Sequence, residues 1–407
     1  MSRPARVVVS GAGVVSAIGE DLDSFWAGLV TGVSGISEIE RFPVADLRVT
    51  RGGEVKKAGR VPARPGCSPK PSTARWSRTS RFLVQAAREA LETAGLGGPG
   101  GLGVPGHRVG VVVGTALGGI DDAERAVQGR GRLRSLVGSL YDGPTRELAS
   151  WLEATGPVLT VSTACASGAT TLGMGADLLR AGRADVVLAG GADVLCRFVQ
   201  RGFNVLRSLT RDEVRPFDRR RSGLLLGEGA GLVVLEREAT WAARGAPPRL
   251  GELLGHASTA DGAHITAPDP EGRGLEQAIR LALAEAGVSP SEVDLVSAHG
   301  TGTVANDRVE TEVLKRILGR RAFAVPVNSI KAHLGHTMGA AATLEAIMCL
   351  LAARHGQVPP TLNLTEPDPA CDLDYVRDGP RRLPSRISLS TSLGFGGCNA
   401  ALVLAGP

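Results

Sequence analysis

Strand-like runs alternate with helix-like ones along this chain, and the alternation occurs twice. "RVVVSGAG", "RVGVVVGT", "VLTVST" and "DVVLAGGAD" are β-branched runs, while "SRFLVQAAREALETAGL" spaces apolar residues at helical intervals. Its Phe82, Leu83, Ala86, Ala87, Ala90, Leu91 and Ala94 recur at three and four residue steps and mark one buried face. Near residue 250 a second series opens with "RGLEQAIRLALAEAGV" and runs through "VDLVSAHGTGT", "FAVPVNSI", "GAAATLEAIMCLLAARHG", "RISLSTSLGFGG" and "NAALVLAG". Such alternation predicts parallel strands covered by helices, because a parallel pair needs a helix-length crossover. Both series end a long helix with "AGL" or "AGV" before a strand, so we expect an α/β protein of two similar halves, residues 1–248 and 249–407. Residues 60–80, rich in Pro, Arg and Ser, read as a surface loop, and "RAVQGRGRLRSLVGSLYDGPTRE" as a second irregular region.

Composition narrows the class. The 43% hydrophobic content supports a sizeable core, and 55 glycines with 3% aromatic residues favour an interior of Ala, Val and Leu with close backbone approaches. Six cysteines, at positions 67, 165, 196, 349, 371 and 398, form no CxxC pair and no small-domain framework, which predicts a reduced, cytoplasmic protein. "VVVSGAGVVSAIG" after Arg3 and Arg6 imitates a signal peptide, yet its glycines suit a strand and turn better, and no unbroken apolar stretch reaches membrane length. The formal charge of +5 comes from scattered arginines, so nucleic acid is poorly supported; an acidic protein or a phosphate-bearing ligand fits equally.

"TVSTACASGATTL" sets Cys165 directly after a strand and at the first turn of a helix. Free backbone amides and the positive end of the macrodipole there favour thiolate over thiol, and Ala164, Ala166, Ser167 and Gly168 leave room for a substrate carbonyl. "SAHGTGT" places His299 at a strand end, and "NSIKAHLGHTMGAA" places Lys331, His333 and His336 on a turn into an Ala-rich helix. The HxxH pair lacks the further ligands a zinc site needs, so no metal is expected. "GAGVVS" lacks the third glycine of a dinucleotide fingerprint. "SLGFGGCNAAL" reads alone as a glycine-rich turn around Phe395.

In this order the motifs, with "RPFDRRRSGLLLGEGAGLVVLE" and "DGAHITAPDPEG", resemble the β-ketoacyl-ACP synthases of the thiolase superfamily, especially the elongating enzymes of type II fatty acid and polyketide synthesis. The resemblance implies a thiolase-like five-layer αβαβα fold, with the nucleophilic cysteine in the first half and two histidines and a lysine in the second. It assigns Cys165 as the acyl-carrying nucleophile, His299 and His336 as imidazoles aimed at the enolate, and Lys331 as the tuning cation. Asp307 or Glu310 would hold its ammonium, and Glu345 matches a family glutamate. The backbone amides of Cys165 and Phe395 would form the oxyanion hole, Phe395 would gate the acyl pocket, and Thr301 and Thr303 would bind pantetheine amides. Substrates would arrive on the phosphopantetheine of an acyl carrier protein with no cofactor bound, and the enzyme would be a homodimer or a heterodimer with a chain-length-factor-like subunit. Arg130, Arg132, Arg134, Arg207 and Arg211 are the carrier-docking candidates. Ser222 and Leu224 depart from the Asp and Phe usual in the family, and the stretch from 119 to 156 is shorter than usual where the dimer interface and pocket floor are built. Two other readings remain within the fold. One is a silent chain-length factor, which Cys165 argues against; the other is a non-condensing acyltransferase or hydrolase, which both histidines and Lys331 argue against.

Overall fold

The computed structural model of the chain describes residues 5–57, 76–97, 101–130 and 135–407. Its framework is ten strands: β1 Val7–Val15, β2 Val109–Gly114, β3 Val158–Val161, β4 Val186–Asp193, β5 Gly229–Arg237, β6 Gly251–Ala260, β7 Leu295–Ser297, β8 Val327–Asn328, β9 Ile387–Gly394 and β10 Cys398–Ala405. Their spatial order is β8-β7-β9-β10-β6-β1-β5-β4-β2-β3. Divided between β6 and β1, the order is the same pattern twice. In each half the first strand pairs antiparallel with the fifth and the fifth antiparallel with the fourth. The fourth then lies parallel to the second, and the second parallel to the third. A short antiparallel contact from Val7↔Leu253 to Val9↔Gly251 joins the halves.

Six helices repeat the pattern: α1 Arg78–Thr93, α2 Gly143–Leu152, α3 Ser167–Arg180, α4 Arg273–Ala286, α5 Val304–Leu318 and α6 Ala341–His355. α1 and α4 follow the first strand of each half, α2 and α5 precede the third, and α3 and α6 follow it. α1 covers β1 with α2 beside it, and α4 covers β6 with α5 beside it. α3 and α6 pack on each other and touch strands of both halves, giving five layers, αβαβα. The middle position explains why "AATLEAIMCLLA" lacks a polar face: every residue from Ala341 to Ala352 is buried.

Gly11 and Gly255 record the duplication at atomic detail. A Cβ on Gly11 would lie 2.2 Å from the Ala90 carbonyl oxygen of α1, and one on Gly255 would lie 2.3 Å from the Ala282 carbonyl oxygen of α4. Strand and helix backbones touch at the same place in each half, so the "GAG" glycines serve packing and not a dinucleotide. The expected loop over 60–80 falls mostly outside the described residues, and its end is corrected. Ser77 accepts from the Ser80 N–H and caps α1, and Arg78 is buried against Glu228 at 2.6 Å. The second irregular region, 125–147, holds the end of the helix Ile120–Val127, the helix Ser135–Gly138 and the start of α2.

Candidate active site

In open α/β sheets ligands gather beyond the carboxyl ends of the strands, and here both halves send their equivalent ends to one cavity. Cys165 follows β3, and Lys331 and His336 follow β8, the matching strand. His299 follows β7, and Phe395 follows β9. Cys165, His299, His336, Thr301, Thr303, Leu224, Phe203, Gly394 and Phe395 line a single cavity of about 240 Å³.

The turn at Cys165 is strained. Ala164 has φ +49°, a left-handed value that costs a non-glycine residue of order 1–3 kcal/mol and persists only where neighbours enforce it. Ser167 enforces it: its Oγ donates to the Ala164 carbonyl at 2.6 Å and accepts from the Thr163 N–H at 2.9 Å. Two of the small residues after Cys165 also serve packing. Ser167 is fully buried, where a Cβ on Gly114 of β2 would meet it at 2.8 Å, and a Cβ on Gly168 would strike Thr343 Oγ1 at 2.5 Å, so Gly168 lets α3 approach α6. Burial opposes the expected thiolate in the resting site. Burial pushes the Cys165 thiol up to about 12, outweighing the opposite pull of Lys331 and of the Phe395 N–H, which hydrogen-bonds the sulfur.

Lys331 does not pair with Asp307 or Glu310. Its Nζ lies 2.5 Å from Glu345 Oε1, 2.5 Å from the His299 carbonyl oxygen and 3.3 Å from His299 Nδ1. Asp307 instead accepts from the Phe217 and Gly302 N–H groups, and Glu310 from the N–H groups of His299 and Gly300 and the Thr391 hydroxyl. An ammonium has three protons and no lone pair, so its three neighbours all accept. His299 Nδ1 is therefore an acceptor and its proton sits on Nε2. Burial, Lys331 and His336 hold the His299 imidazole well below its ordinary range, so it is neutral. His336 is neutral for the same first cause, burial, with Lys331 adding to it. Its ring stands edge-on to His299, centroids 5.4 Å apart, and its Nδ1 is buried with no hydrogen-bond partner among the described residues. Nothing there locks its tautomer. Burial raises Glu345 to about 7 although Lys331 pulls the other way. His333 turns elsewhere, with its ring nitrogens 3.0 and 2.9 Å from the Val33 and Pro360 carbonyl oxygens, so the HxxH pair does not converge.

Two site residues escape sequence reasoning. Gly394 abuts Cys165 so closely that a Cβ there would lie 2.9 Å from the Thr163 carbonyl oxygen and 3.1 Å from the Cys165 nitrogen. Gly394→Ala is expected to displace both candidate oxyanion donors and slow acylation about a hundredfold, the effect of losing one such donor. Intact-mass acylation kinetics at unchanged melting temperature check it. Asp193 ends β4 fully buried, accepting from Thr115 Oγ1, the N–H groups of Ala116 and Leu117, and the N–H of Gly339 at 2.7 Å. It ties the turn after His336 to the first half. A carboxylate closing an apolar strand in "VVLAGGAD" was its visible signal.

The family model of the β-ketoacyl synthase N-terminal domain matches residues 5–240, and that of the C-terminal domain matches residues 250–365. The chain belongs to the β-ketoacyl synthase family. This synthase is 39% identical to the tetracenomycin polyketide synthase ketoacyl synthase alpha subunit of Streptomyces glaucescens, covering 99% of this chain and 97% of the relative. It is 36% identical to 3-oxoacyl-[acyl-carrier-protein] synthase 2 of Synechocystis sp., covering 98% and 97%. Among solved structures it superposes on the ishigamide ketosynthase/chain length factor with a TM-score of 0.91 at 37% identity, covering 99% of this chain and 100% of that one. A type II polyketide acyl-carrier protein in complex with its ketosynthase bound to the hexaketide matches with a TM-score of 0.88 at 30% identity, covering 99% and 100%.

The departures of this synthase are absorbed locally. Ser222 Oγ lies 2.7 Å from Thr210 Oγ1, and Leu224 is a buried wall of the cavity. Phe395 stacks on Phe203, centroids 5.8 Å apart. Arg207 is exposed at φ +53° between Leu206 and Ser208, both cavity-lining, and Arg211 is exposed nearby in sequence. Arg130 is exposed and lines a different cavity, whereas Arg132 and Arg134 lie outside the described residues.

Proposed function

We propose that this synthase condenses an acyl group held on Cys165 with a malonyl unit held on acyl carrier protein, releasing carbon dioxide and a β-ketoacyl thioester. The observation that carries the assignment of roles is the single cavity shared by Cys165, His299, His336 and the Phe395 turn. In the first step the Cys165 sulfur attacks the thioester carbon as its proton passes to His336, whose ring is free to accept it. The oxyanion is held by the Cys165 and Phe395 amides. Collapse expels the pantetheine thiolate, which takes the proton back from His336. In the second step malonyl loses carbon dioxide, and the electron pair of the broken bond goes to the thioester oxygen. His299 Nε2–H donates to that oxygen, and neutral His336 supplies the second donor. The enolate carbon then attacks the Cys165 thioester, the sulfur leaves as a thiolate, and a proton taken up from solvent restores the thiol for the next acyl group.

Thr301 and Thr303, their hydroxyl oxygens 2.9 Å apart on the cavity wall, hold the pantetheine amides. Under this reading residues 1–248 supply the nucleophile and residues 249–407 the decarboxylation groups. The chemistry needs no bound cofactor beyond the carrier's phosphopantetheine. Five free cysteines among the described residues fit a cytoplasmic setting. No described helix is long and apolar enough to cross a membrane.

The alpha-subunit relatives favour polyketide or other specialised metabolism over fatty acid synthesis. β3 is a sheet edge, and Val137, Leu140 and Tyr141 are exposed apolar residues in the shortened 119–156 stretch. An unpaired edge beside apolar side chains calls for a second subunit, either another copy or a chain-length-factor-like partner. The deciding assay is product mass from a panel of acyl-carrier substrates with malonyl carrier, with and without such a partner. A β-ketoacyl product with carbon dioxide supports condensation; transfer or hydrolysis alone overturns it. Arg207→Glu with Arg211→Glu is expected to raise KM for the carrier substrate about tenfold at low salt, with kcat little changed, since rim charges act mainly on encounter. The same KM as wild type at every salt concentration would remove these arginines from docking.

A further inference from the structure

The loop carrying Thr301 and Thr303 has little regular structure of its own. Gly300 and Gly302 have φ +38° and +81°, so neither helix nor strand hydrogen bonds fix the peptides on either side of Thr301. The Gly302 carbonyl accepts from the Gly223 N–H at 3.0 Å, and the Gly302 N–H donates to Asp307 at 3.2 Å. The next two peptides open α5, where the Thr303 carbonyl accepts from the Asp307 N–H at 3.3 Å, and one side chain reaches both of their carbonyls. Arg221 Nε donates to the Thr303 carbonyl at 3.3 Å and its Nη2 to the Val304 carbonyl at 3.3 Å. Its Nη1 donates to the Asp218 carbonyl at 3.0 Å and to Asp368 Oδ2 at 2.5 Å.

This guanidinium is only 2% exposed, and Asp307 lies 3.8 Å from its Nε. Burying a guanidinium is costly unless its protons are matched. Here two of the matches go to carbonyls of the loop that faces the channel. A single point donor would satisfy one of these carbonyls and leave the other without a side-chain partner. A planar fork instead sets the orientation of two consecutive peptide groups, and with them the direction of the Thr303 side chain and of Thr301, its hydrogen-bonded neighbour.

We propose that Arg221 is a positioning residue for the pantetheine arm: it fixes the Thr303 and Val304 peptides and so holds the Thr301 and Thr303 hydroxyls toward the channel. The proposal rests on the reading of those hydroxyls as pantetheine contacts. Lysine cannot replace it, because a single ammonium cannot reach both carbonyls and Asp368 at once.

The test compares acyl transfer from two thioesters with the same acyl group, one on pantetheine and one on the shorter N-acetylcysteamine. Arg221→Lys is expected to lower kcat/KM for the pantetheine thioester about tenfold while changing the short thioester by less than about twofold, as loss of one oriented hydrogen bond to the arm requires. Thr303→Val should show the same selectivity. Equal losses on both thioesters in Arg221→Lys overturn the proposal, as does full arm selectivity in Arg221→Lys when Thr303→Val has lost it. A Thr303→Val variant that keeps wild-type selectivity removes the hydroxyl reading itself, and with it the route assigned to Arg221. Should Arg221→Lys fail to fold, Asp368→Asn loosens the same fork without removing it. A smaller loss confined to the pantetheine thioester supports the proposal there, and an equal loss on both overturns it.

Discussion

Cys165→Ala is expected to abolish acyl transfer to the protein and to lower condensation by about a thousandfold or more, because the variant removes the thiol that the proposed mechanism acylates. Among the described residues Cys165 is the only cysteine lining it. Intact mass after incubation with acyl carrier protein should show the acyl increment on wild type and none on the variant. Equal labelling of both would remove the nucleophile assignment. The resting thiol makes a second result follow. With the thiol raised to about 12 by burial, the thiolate fraction below that value grows tenfold per pH unit. Alkylation of the unloaded enzyme by a neutral thiol reagent should therefore climb about tenfold per unit from pH 7 to pH 9. A rate already level at pH 7 would mean that the amides and Lys331 outweigh burial. A site that attacks thioesters at neutral pH from such a thiol must take the proton during attack. In the proposed mechanism that proton goes to His336.

The sequence made some of this visible and hid the rest for identifiable reasons. The duplicated fold was legible because it is written as repeated periodicity, and paired glycines such as Gly11 and Gly255 mark equivalent helix contacts. Cys165 and His299 could be placed from sequence because each follows a strand-like run, and His336 because it sits on the turn between such a run and an Ala-rich helix, which is where such a sheet delivers side chains. The partner of Lys331 was not. Asp307 and Glu310 belong to the motif that opens with His299, but their oxygens are taken by the backbone amides of Phe217 and Gly302 and of His299 and Gly300. Glu345 comes from the middle-layer helix that packs beneath the site. Spacing along a chain does not report which acceptors are already occupied. The pull of burial against the expected thiolate was hidden for a related reason: a helix start is a local feature, whereas burial of Cys165 depends on everything packed around it. Asp193 and Gly394 matter through contacts between separate elements, β4 with the turn before α6 and β9 with the Cys165 turn. No single motif contains both partners of such a contact.

The decarboxylation groups should separate from the acylation group by measurement. His299→Ala is expected to accept the acyl chain on Cys165 at close to the normal rate yet release carbon dioxide from malonyl carrier about a hundredfold or more slowly, since it loses the oriented Nε2–H donor. Unchanged carbon dioxide release would withdraw His299 from that step. Lys331→Met should resemble it kinetically, because without the ammonium His299 Nδ1 can carry the proton and turn a lone pair toward the cavity. That variant carries a second fault, a buried Glu345 stripped of its counter-charge, and breaking such a pair costs about 3–5 kcal/mol. Glu345→Gln in the same chain separates the two effects. The double variant should recover much of the melting temperature lost by Lys331→Met, because the uncompensated charge is gone. It should not recover carbon dioxide release, because nothing then holds the His299 tautomer. Recovery of both together would mean that Lys331 merely balances Glu345, and that the imidazole finds its working tautomer without help.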